Sequence, residues 1–327
     1  MAFLRAGGSN IHGAGRSAVA VALLLCTWPA HGFEFVDSIV RDFSDSEFVF
    51  QRSASLVPFP PVAYLGASHY GSTQVSGSAR GAPIEYQLST VSQAAGIPWL
   101  LGERDAVVVG EYLSWSEFRL KDTPGEDFSV ATVGLPVGWI RQVNPDWQAA
   151  AFIMPMGHRA SLDDAEWSWQ TMGGVFARYV QTDRLWWAFG LYADIAPGED
   201  FYIPYLGASW AVTDHWTLSA VMPWPALLYA PDDNWLFRFG VTPSGASWSA
   251  TPAGGADSVA MNLDAWDFGL GIERRLGGDV FAALEAGVGG FRGLRLQDSG
   301  IEDIDVDAGS SPYIRLQFKI RPGAFKP

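Results

Sequence analysis

The chain of 327 residues is acidic, with a formal net charge of −14 at pH 7, and it is rich in tryptophan, with 15 of them. A chain of this charge is a poor binder of nucleic acid, because neutralising phosphates requires Lys and Arg. Its single cysteine, Cys26, falls within a leader at residues 1–32, so the rest of the chain can use neither a disulfide nor a thiolate nucleophile.

Residues 1–32 are typical of a secretory signal peptide. Arg5 and Arg16 supply the positive charge, and the apolar run at 19–25 is too short to span a membrane as a helix. Small residues at positions 30 and 32 predict cleavage before Phe33. The mature chain is then more acidic still, since the signal holds arginines and no carboxylate.

Residues 33–60 have no single interpretation. The alternation around Phe48 and Phe50 indicates either a first strand or a periplasmic segment, and the prolines at 58, 60 and 61 separate it from the strand expected at 62–76. The barrel is assigned to residues 61–321, and residues 322–327 form a C-terminal tail. No window after the signal holds about 18 uncharged apolar residues, so membrane helices are not expected.

Five times from residue 144 onward, a polar turn is followed closely by an aromatic residue in an alternating stretch. Short turns, interfacial aromatics and strands of period two are typical of a transmembrane β-barrel. A soluble β-sandwich would alternate as well, but it would not bring tryptophan back at each turn. The aromatics expected at the membrane interface are Trp147, Trp186, Trp187, Trp216, Trp235 and Phe281.

The predicted fold class is all-β, as a transmembrane, antiparallel, up-and-down barrel of about 14 strands. If the five turns share the periplasmic side, each interval between them holds two strands, and 216–230 is a short hairpin with Pro223 and Pro225 at its corner. The ten strands after the first of these turns are joined by four earlier ones, at 62–76, 83–93, 105–119 and 127–142. Twelve strands are the alternative, if the first hairpin lies outside the barrel wall or a short strand is miscounted.

Alternation also divides the side chains of each strand between two faces. Around 262–273, Phe268 and Leu270 point one way while Asp267 and Glu273 point the other. A charge facing lipid costs about 2–4 kcal/mol at the membrane midplane, so the charged set is expected to face the lumen. These side chains either set a field across a pore or pair as a structural polar core, and they are Arg178, Arg238, Asp267, Glu273, Glu285, Arg315 and Lys319.

The block from Tyr202 to Trp248, which contains YLGASWAVTDHWTLSAVMPWPALLYAPDDNWLFRFG, resembles the outer-membrane β-barrel proteins of Gram-negative bacteria. It is similar in particular to an uncharacterised barrel family named only as a domain of unknown function. The resemblance implies an outer-membrane location, contact with outer-membrane lipids and lipopolysaccharide, and recognition by the barrel assembly machinery. Such barrels usually end on an aromatic residue. Here residues 321–327 follow the last strand, and Phe318 is the nearest candidate for that assembly signal.

A membrane-embedded lipid hydrolase would need a serine and a histidine on one face of a strand. His69 and Ser72 are three residues apart, as are His158 and Ser161, so each pair points to opposite faces unless a bulge intervenes. His215 lies in a turn. The acidic loop at 298–307 matches no calcium-loop template, and we expect neither a metal nor a cofactor.

Three functions are therefore weighed. The first is a narrow porin-like channel for small solutes, since wide porin lumens need on the order of sixteen strands. The second is a structural or interaction barrel whose lumen is filled. The third is a lipid hydrolase, which the histidine spacing disfavours.

Overall fold

The computed structural model describes residue 48 and residues 55–77, 84–121, 127–162, 165–196, 200–221, 224–250, 259–297 and 306–321. The predicted signal peptide, most of segment 33–60 and the predicted tail lie outside these residues. Within the described ranges, no helix has the length and apolar character needed to cross a membrane.

The described chain folds into antiparallel strands that succeed one another along the sequence. In chain order they are β1 (Ala63–Gly77), β2 (Ile84–Leu100), β3 (Asp105–Lys121), β4 (Phe128–Gly134), β5 (Val137–Asn144), β6 (Trp147–Ala160), β7 (Ser168–Thr182), β8 (Leu185–Ile195), β9 (Asp200–Ala211), β10 (Trp216–Ala220), β11 (Ala226–Asp232), β12 (Trp235–Ala250), β13 (Val259–Gly277), β14 (Val280–Gln297), β15 (Val306–Ala308) and β16 (Ser311–Ile320).

These strands close into one barrel. Strands pair in chain order, except that β4 and β5 both pair with β3 and β6, and β15 and β16 both pair with β14 and β1. The pairing of β16 with β1 closes the barrel and sets Ala63 opposite Ile320. Because β4 and β5 form one barrel strand, as do β15 and β16, the barrel has 14 strands. The predicted fold class and strand number are confirmed, and the 12-strand alternative is wrong.

The break between β4 and β5 does not open the barrel wall. The register of β3 and β6 continues unchanged through it. On one side the Gly110 N–H donates to the Pro136 carbonyl at 2.8 Å, and on the other the Leu135 N–H donates to the Pro155 carbonyl at 3.0 Å. Proline lacks an N–H, which interrupts the regular ladder without displacing the strand.

The five turn units lie at the same end of the barrel. In four of them a side-chain oxygen accepts hydrogen bonds from the backbone N–H groups two and three residues later, and these oxygens belong to Asn144, Thr182, Thr213 and Asp232. Such local bonds favour a turn over continued strand. The fifth turn uses Gly278, whose φ of 53° is accessible to glycine at little cost. We call this the short-turn end and the opposite end the long-loop end.

The two faces of the barrel wall differ sharply in chemistry. Most of the exposed outward side chains along the middle of the wall are large and apolar, such as Leu270, which is 67% exposed, and Leu206, which is 63% exposed. The buried side chains point inward. They form an apolar cluster toward the long-loop end around Phe118, Val130 and Trp248, and a polar set that includes Asp267. A wall with an apolar exterior and a mixed interior is the arrangement that a barrel in lipid requires.

Candidate functional site in the barrel lumen

A network of ion pairs runs along the inner face of β12, β13, β14 and β16. Arg315 is its centre, with one guanidinium nitrogen 2.6 Å from Asp267 Oδ2 and another 2.8 Å from Glu285 Oε1. Glu285 also pairs with Arg238 at 3.3 Å. Asp267 is fully buried, and it accepts further hydrogen bonds from Tyr70 at 2.6 Å and from Ser244 at 3.0 Å.

A second cluster lies nearer the short-turn end of the same wall. Lys319 Nζ is 2.5 Å from Glu273 Oε1, and the Arg321 guanidinium is 2.8 Å from Glu273 Oε2. Glu273 and Arg321 are both buried. A buried carboxylate that faces two cations is paired, whereas its isolated burial would be costly.

The acids and bases therefore pair side by side along one wall and do not face each other across the lumen as separate rows. The reason is the strand register, which sets Glu285 directly opposite Arg315 on the neighbouring strand. Arg178 lies away from this group on β7, where it donates to Gln148 Oε1 at 3.1 Å and its guanidinium sits 4.9 Å from the centre of the Trp186 ring.

Gly269 on β13 makes room for the network. A Cβ added at Gly269 would collide with the Tyr313 hydroxyl and would lie 3.0 Å from Glu285 Cγ. Tyr313 uses this space to donate to Glu285 Oε1 at 2.7 Å, and its ring stacks on Tyr70 with centroids 5.4 Å apart. The glycine is thus required by the polar packing above it.

Part of the inner face of the opposite wall is apolar. Between β2, β3, β5 and β6 lies a cavity of about 320 Å³, lined by Val108, Ile140, Ala150 and Phe152 together with inward-facing glycines. Beyond it, aromatic rings continue around the lumen. Phe152 stacks on Phe176 with centroids 5.9 Å apart, and Phe176 meets Tyr205 edge to face at 5.1 Å. A water-filled channel usually has a polar lining, so this part of the lumen is chemically distinct.

The long-loop end of β12 reaches across the lumen. It contacts β4, β6 and β7, which are not its neighbours in the sheet. The centroid of the Trp248 ring lies 5.2 Å from that of Phe118 and 5.7 Å from that of Phe128. The Ser249 hydroxyl donates a hydrogen bond to the Glu166 carbonyl at 2.9 Å. These contacts narrow the lumen at the long-loop end.

The segment before β1 crosses the short-turn end. Ser55 accepts a hydrogen bond from Thr217 on β10 at 2.9 Å, while the Phe59 carbonyl accepts one from Arg321, which follows β16. Since β10 lies far from β1 and β16 around the barrel, residues 55–61 span the opening. Phe48 is buried against Ala106 on the inner face of β3. The strand and periplasmic interpretations of segment 33–60 remain predictions, because residues 33–47 and 49–54 lie outside the described ranges.

Four of the six predicted interface aromatics lie on the outer face at the short-turn end. They are Trp147, Trp187, Trp216 and Trp235, and neighbouring rings support them, with Trp147 stacked on Tyr179 at 4.8 Å and Trp216 4.5 Å from Tyr229. Three further tryptophans that were not predicted are exposed near the same end, and they are Trp99, Trp139 and Trp210. They precede their turns, whereas the prediction rested on aromatics that follow a turn.

Trp186 and Phe281 correct the interface prediction. Phe281 is only 6% exposed, and its ring lies 5.9 Å from the Arg321 guanidinium inside the barrel. Trp186 faces Arg178 within the lumen. In each case the residues two positions away on the same strand point inward, so this side chain points inward as well. Its place in the strand alternation therefore decides its face, and its closeness to a turn does not.

The histidines within the described ranges lie in three different environments. A bulge lies between Tyr70 and Thr73 and inserts one extra residue into β1. Because of it, His69 and Ser72 do not point to opposite faces of the wall despite their three-residue spacing. His69 nevertheless meets Ser89 at 2.9 Å on the outer face, while Ser72 accepts from Lys121 at 3.2 Å.

His158 is buried in the lumen between Thr132 at 2.9 Å and Gln170 at 3.1 Å. His215 contacts the Ala230 carbonyl at 2.9 Å beside its turn. Among the described residues, no cluster of His, Cys, Asp and Glu is arranged to hold a metal ion. Most of the acidic loop at 298–307 lies outside them.

Phe318, the predicted assembly signal, lies on the outer face of β16 and is 47% exposed. It is paired with Leu65 on β1 and with Ala282 on β14, so it sits where the last strand closes the barrel.

Comparisons with solved structures find matches at low sequence identity. Solved structures similar to this chain include a Pseudomonas aeruginosa FadL homologue, with 11% identity, 83% of this chain and 93% of that chain covered, and a TM-score of 0.41. The CymD monoaromatic hydrocarbon channel matches at 11% identity over 80% and 89% of the two chains, with a TM-score of 0.40. The translocator domain of the autotransporter NalP from Neisseria meningitidis matches at 10% identity over 93% and 98%, with a TM-score of 0.34.

No protein-family model matches this chain. No curated protein matches it either. The resemblance of the Tyr202–Trp248 block to an uncharacterised barrel family therefore has no support from these comparisons.

Proposed function

We propose that this protein is an outer-membrane channel that admits small solutes through a narrow lumen. The predicted signal peptide, the closed barrel and the apolar outer face with its aromatic residues support a location in the bacterial outer membrane. By the usual orientation of such barrels, the short-turn end faces the periplasm and the long-loop end the exterior.

The observation that carries the channel is the apolar side of the lumen, which the described residues leave unfilled. A barrel that served only as a scaffold would fill its interior with interlocking side chains, as close packing stabilises any core. Here the charged wall is packed and paired, while the wall formed by β2, β3, β5 and β6 leaves a cavity of about 320 Å³. The free space favours passage or binding of a solute.

The alternative is a structural or interaction barrel with a filled lumen. The contacts of Trp248 with Phe118 and Phe128 favour it, because they join opposite walls at the long-loop end. In the channel hypothesis this same cluster, together with residues 55–61 at the other end, limits the size of the solutes that pass.

Conductance in planar bilayers and swelling of proteoliposomes in sugars of increasing size test the channel. We expect small conductance steps and a sharp size limit. The matched variants are Trp248→Ala, which removes the cross-lumen ring, and Trp169→Ala, which removes an exposed outer-face ring. The first should raise conductance and the second should not. Absence of conductance in the native protein and in Trp248→Ala would favour the filled barrel.

Three partners belong to this proposal. Outer-membrane lipids and lipopolysaccharide contact the apolar outer face, and the barrel assembly machinery reads the last strand through Phe318. Assembly of a Phe318→Ser variant in cells tests the last point. Loss of the heat-resistant folded form in the membrane is expected there, and unchanged assembly would dismiss Phe318 as the signal.

A further inference from the structure

The cavity on the apolar wall is a place where side chains are missing. Its floor is the inner face of β3 and β5, where glycines stand at positions 110 and 138. A Cβ at Gly110 would lie 2.5 Å from the Ala95 carbonyl oxygen, so the backbone there excludes a side chain. At Gly138 the nearest atoms to a Cβ are 3.7–3.9 Å away, which is ordinary contact. Packing does not require glycine at Gly138, and its effect is to leave the space empty.

The lining chemistry limits what the cavity accepts. Val108, Ile140, Ala150 and Phe152 present hydrocarbon, and none of the described residues that line the cavity carries a charge. An ion or a sugar would lose its hydration there without gaining partners, and burying an unpaired polar group is unfavourable. The occupant that fits is uncharged and apolar.

The size of the cavity sets the scale of that occupant. An apolar cavity of about 150 Å³ stays dry and accommodates benzene or xenon. This one, at about 320 Å³, has room for a molecule of one ring with substituents, or for a short branched hydrocarbon. Typical binding pockets for small molecules begin at about 300 Å³, so the cavity is at the small end of that range.

The neighbouring side chains extend the apolar surface along the barrel. On one flank, Phe152 leads to the Phe176 and Tyr205 rings. Toward the short-turn end, Phe48 packs on Ala106, with Ile140 partly buried against the same cluster. The cavity is thus continuous with aromatic groups rather than isolated in the wall.

We propose that this cavity is a binding site for small uncharged apolar molecules on their way through the barrel. The proposal rests on the channel function and names one class of solute that the lumen binds. The charged wall opposite, whose carboxylates and guanidinium groups pair with one another, offers such molecules nothing comparable.

Fluorobenzene binding, followed by ¹⁹F NMR on the protein in nanodiscs, tests the site. Empty nanodiscs measure the non-saturable partition of the probe into lipid. Native protein should add a saturable component. Gly138→Leu, which places a side chain in the cavity where a Cβ is tolerated, should weaken that component at least tenfold. Ala150→Leu is a second filling variant in case the first does not fold.

The matched control is Gly290→Leu. Gly290 lies on the outer face of β14, and a Cβ there would meet only the Phe268 ring at 3.8 Å, so the same side chain is added on the lipid side. Retained binding in this variant supports the site. Absence of a saturable component in folded native protein, or equal loss in Gly138→Leu and Gly290→Leu, would overturn it.

Conductance measured on the same preparations separates the binding site from the channel itself. A protein that conducts ions but binds no fluorobenzene keeps the channel and refutes the site. A protein that binds fluorobenzene in the cavity without conducting keeps the site and refutes the channel.

Discussion

Replacing Arg315 by glutamine should destabilise the barrel more than breaking an exposed ion pair does. Arg315 joins Asp267 and Glu285 through bonds of 2.6 and 2.8 Å, and its side chain is only 14% exposed. Hydrogen bonds to charged groups contribute about 1.5–3 kcal/mol each, and removing one partner of a buried ion pair typically costs about 3–5 kcal/mol.

The structure sets where in that range the loss should fall. Asp267 keeps the Tyr70 and Ser244 hydroxyls as donors, and Glu285 keeps Arg238 and Tyr313. We therefore expect the free energy of unfolding to fall by about 3 kcal/mol, at the lower end of the range for a broken buried pair. Urea unfolding in lipid vesicles, followed by tryptophan fluorescence, measures it.

Arg119→Gln is the matched control. Arg119 pairs with Glu117 at 3.1 Å, but both side chains are well exposed, and such pairs contribute about 0–1 kcal/mol. A loss below about 1 kcal/mol in Arg315→Gln would refute the reasoning, because it would mean that water solvates Asp267 in place of the guanidinium. The double variant Asp267→Asn with Arg315→Gln should recover part of the loss, since it leaves no unpaired buried carboxylate at that position.

The faces and ends of the barrel lead to three further predictions. Leu270→Lys should lower the free energy of unfolding in vesicles by about 2–4 kcal/mol, because Leu270 faces outward. Thr242 faces inward and lies opposite Asp267 in the register, so Thr242→Lys should lower it less. Equal losses in the two variants would contradict the face assignment. Trp248→Ala should lower stability by about 3–5 kcal/mol while raising single-channel conductance, and a narrower or unchanged pore would argue against its role at the long-loop end. Phe48→Ala should raise conductance without a change in ion selectivity, since Phe48 packs on apolar Ala106; unchanged steps would place Phe48 outside the solute path.

The fold was largely predictable because its signals are local. Turn oxygens such as those of Asn144 and Thr213 act within three residues, and strand parity assigns side chains to faces without knowledge of the neighbouring strand. Counting turns gave ten strands, and four earlier stretches of strand length brought the number to 14. The same parity would have placed Trp186 and Phe281 inside, had it been given priority over their distance from a turn.

The lumen was less predictable because its contacts join distant parts of the sequence. Tyr70 and Asp267 are 197 residues apart, and their hydrogen bond depends on closure of β16 against β1. The bulge after Tyr70 likewise changes which side chains share a face with His69. No pattern in the sequence predicted this bulge.

By itself, the sequence determined the architecture: an acidic chain, a barrel of antiparallel strands, and inner faces that carry charge. Only the tertiary structure decided how those charges are used and where space remains. Ion pairs such as Arg315 with Glu285 follow from register, and the cavity beside Gly138 follows from the summed volumes of side chains on four strands. Alternation along a strand specifies which face a side chain points to. Its packing partners come from other strands, and only the closed barrel places those strands beside it.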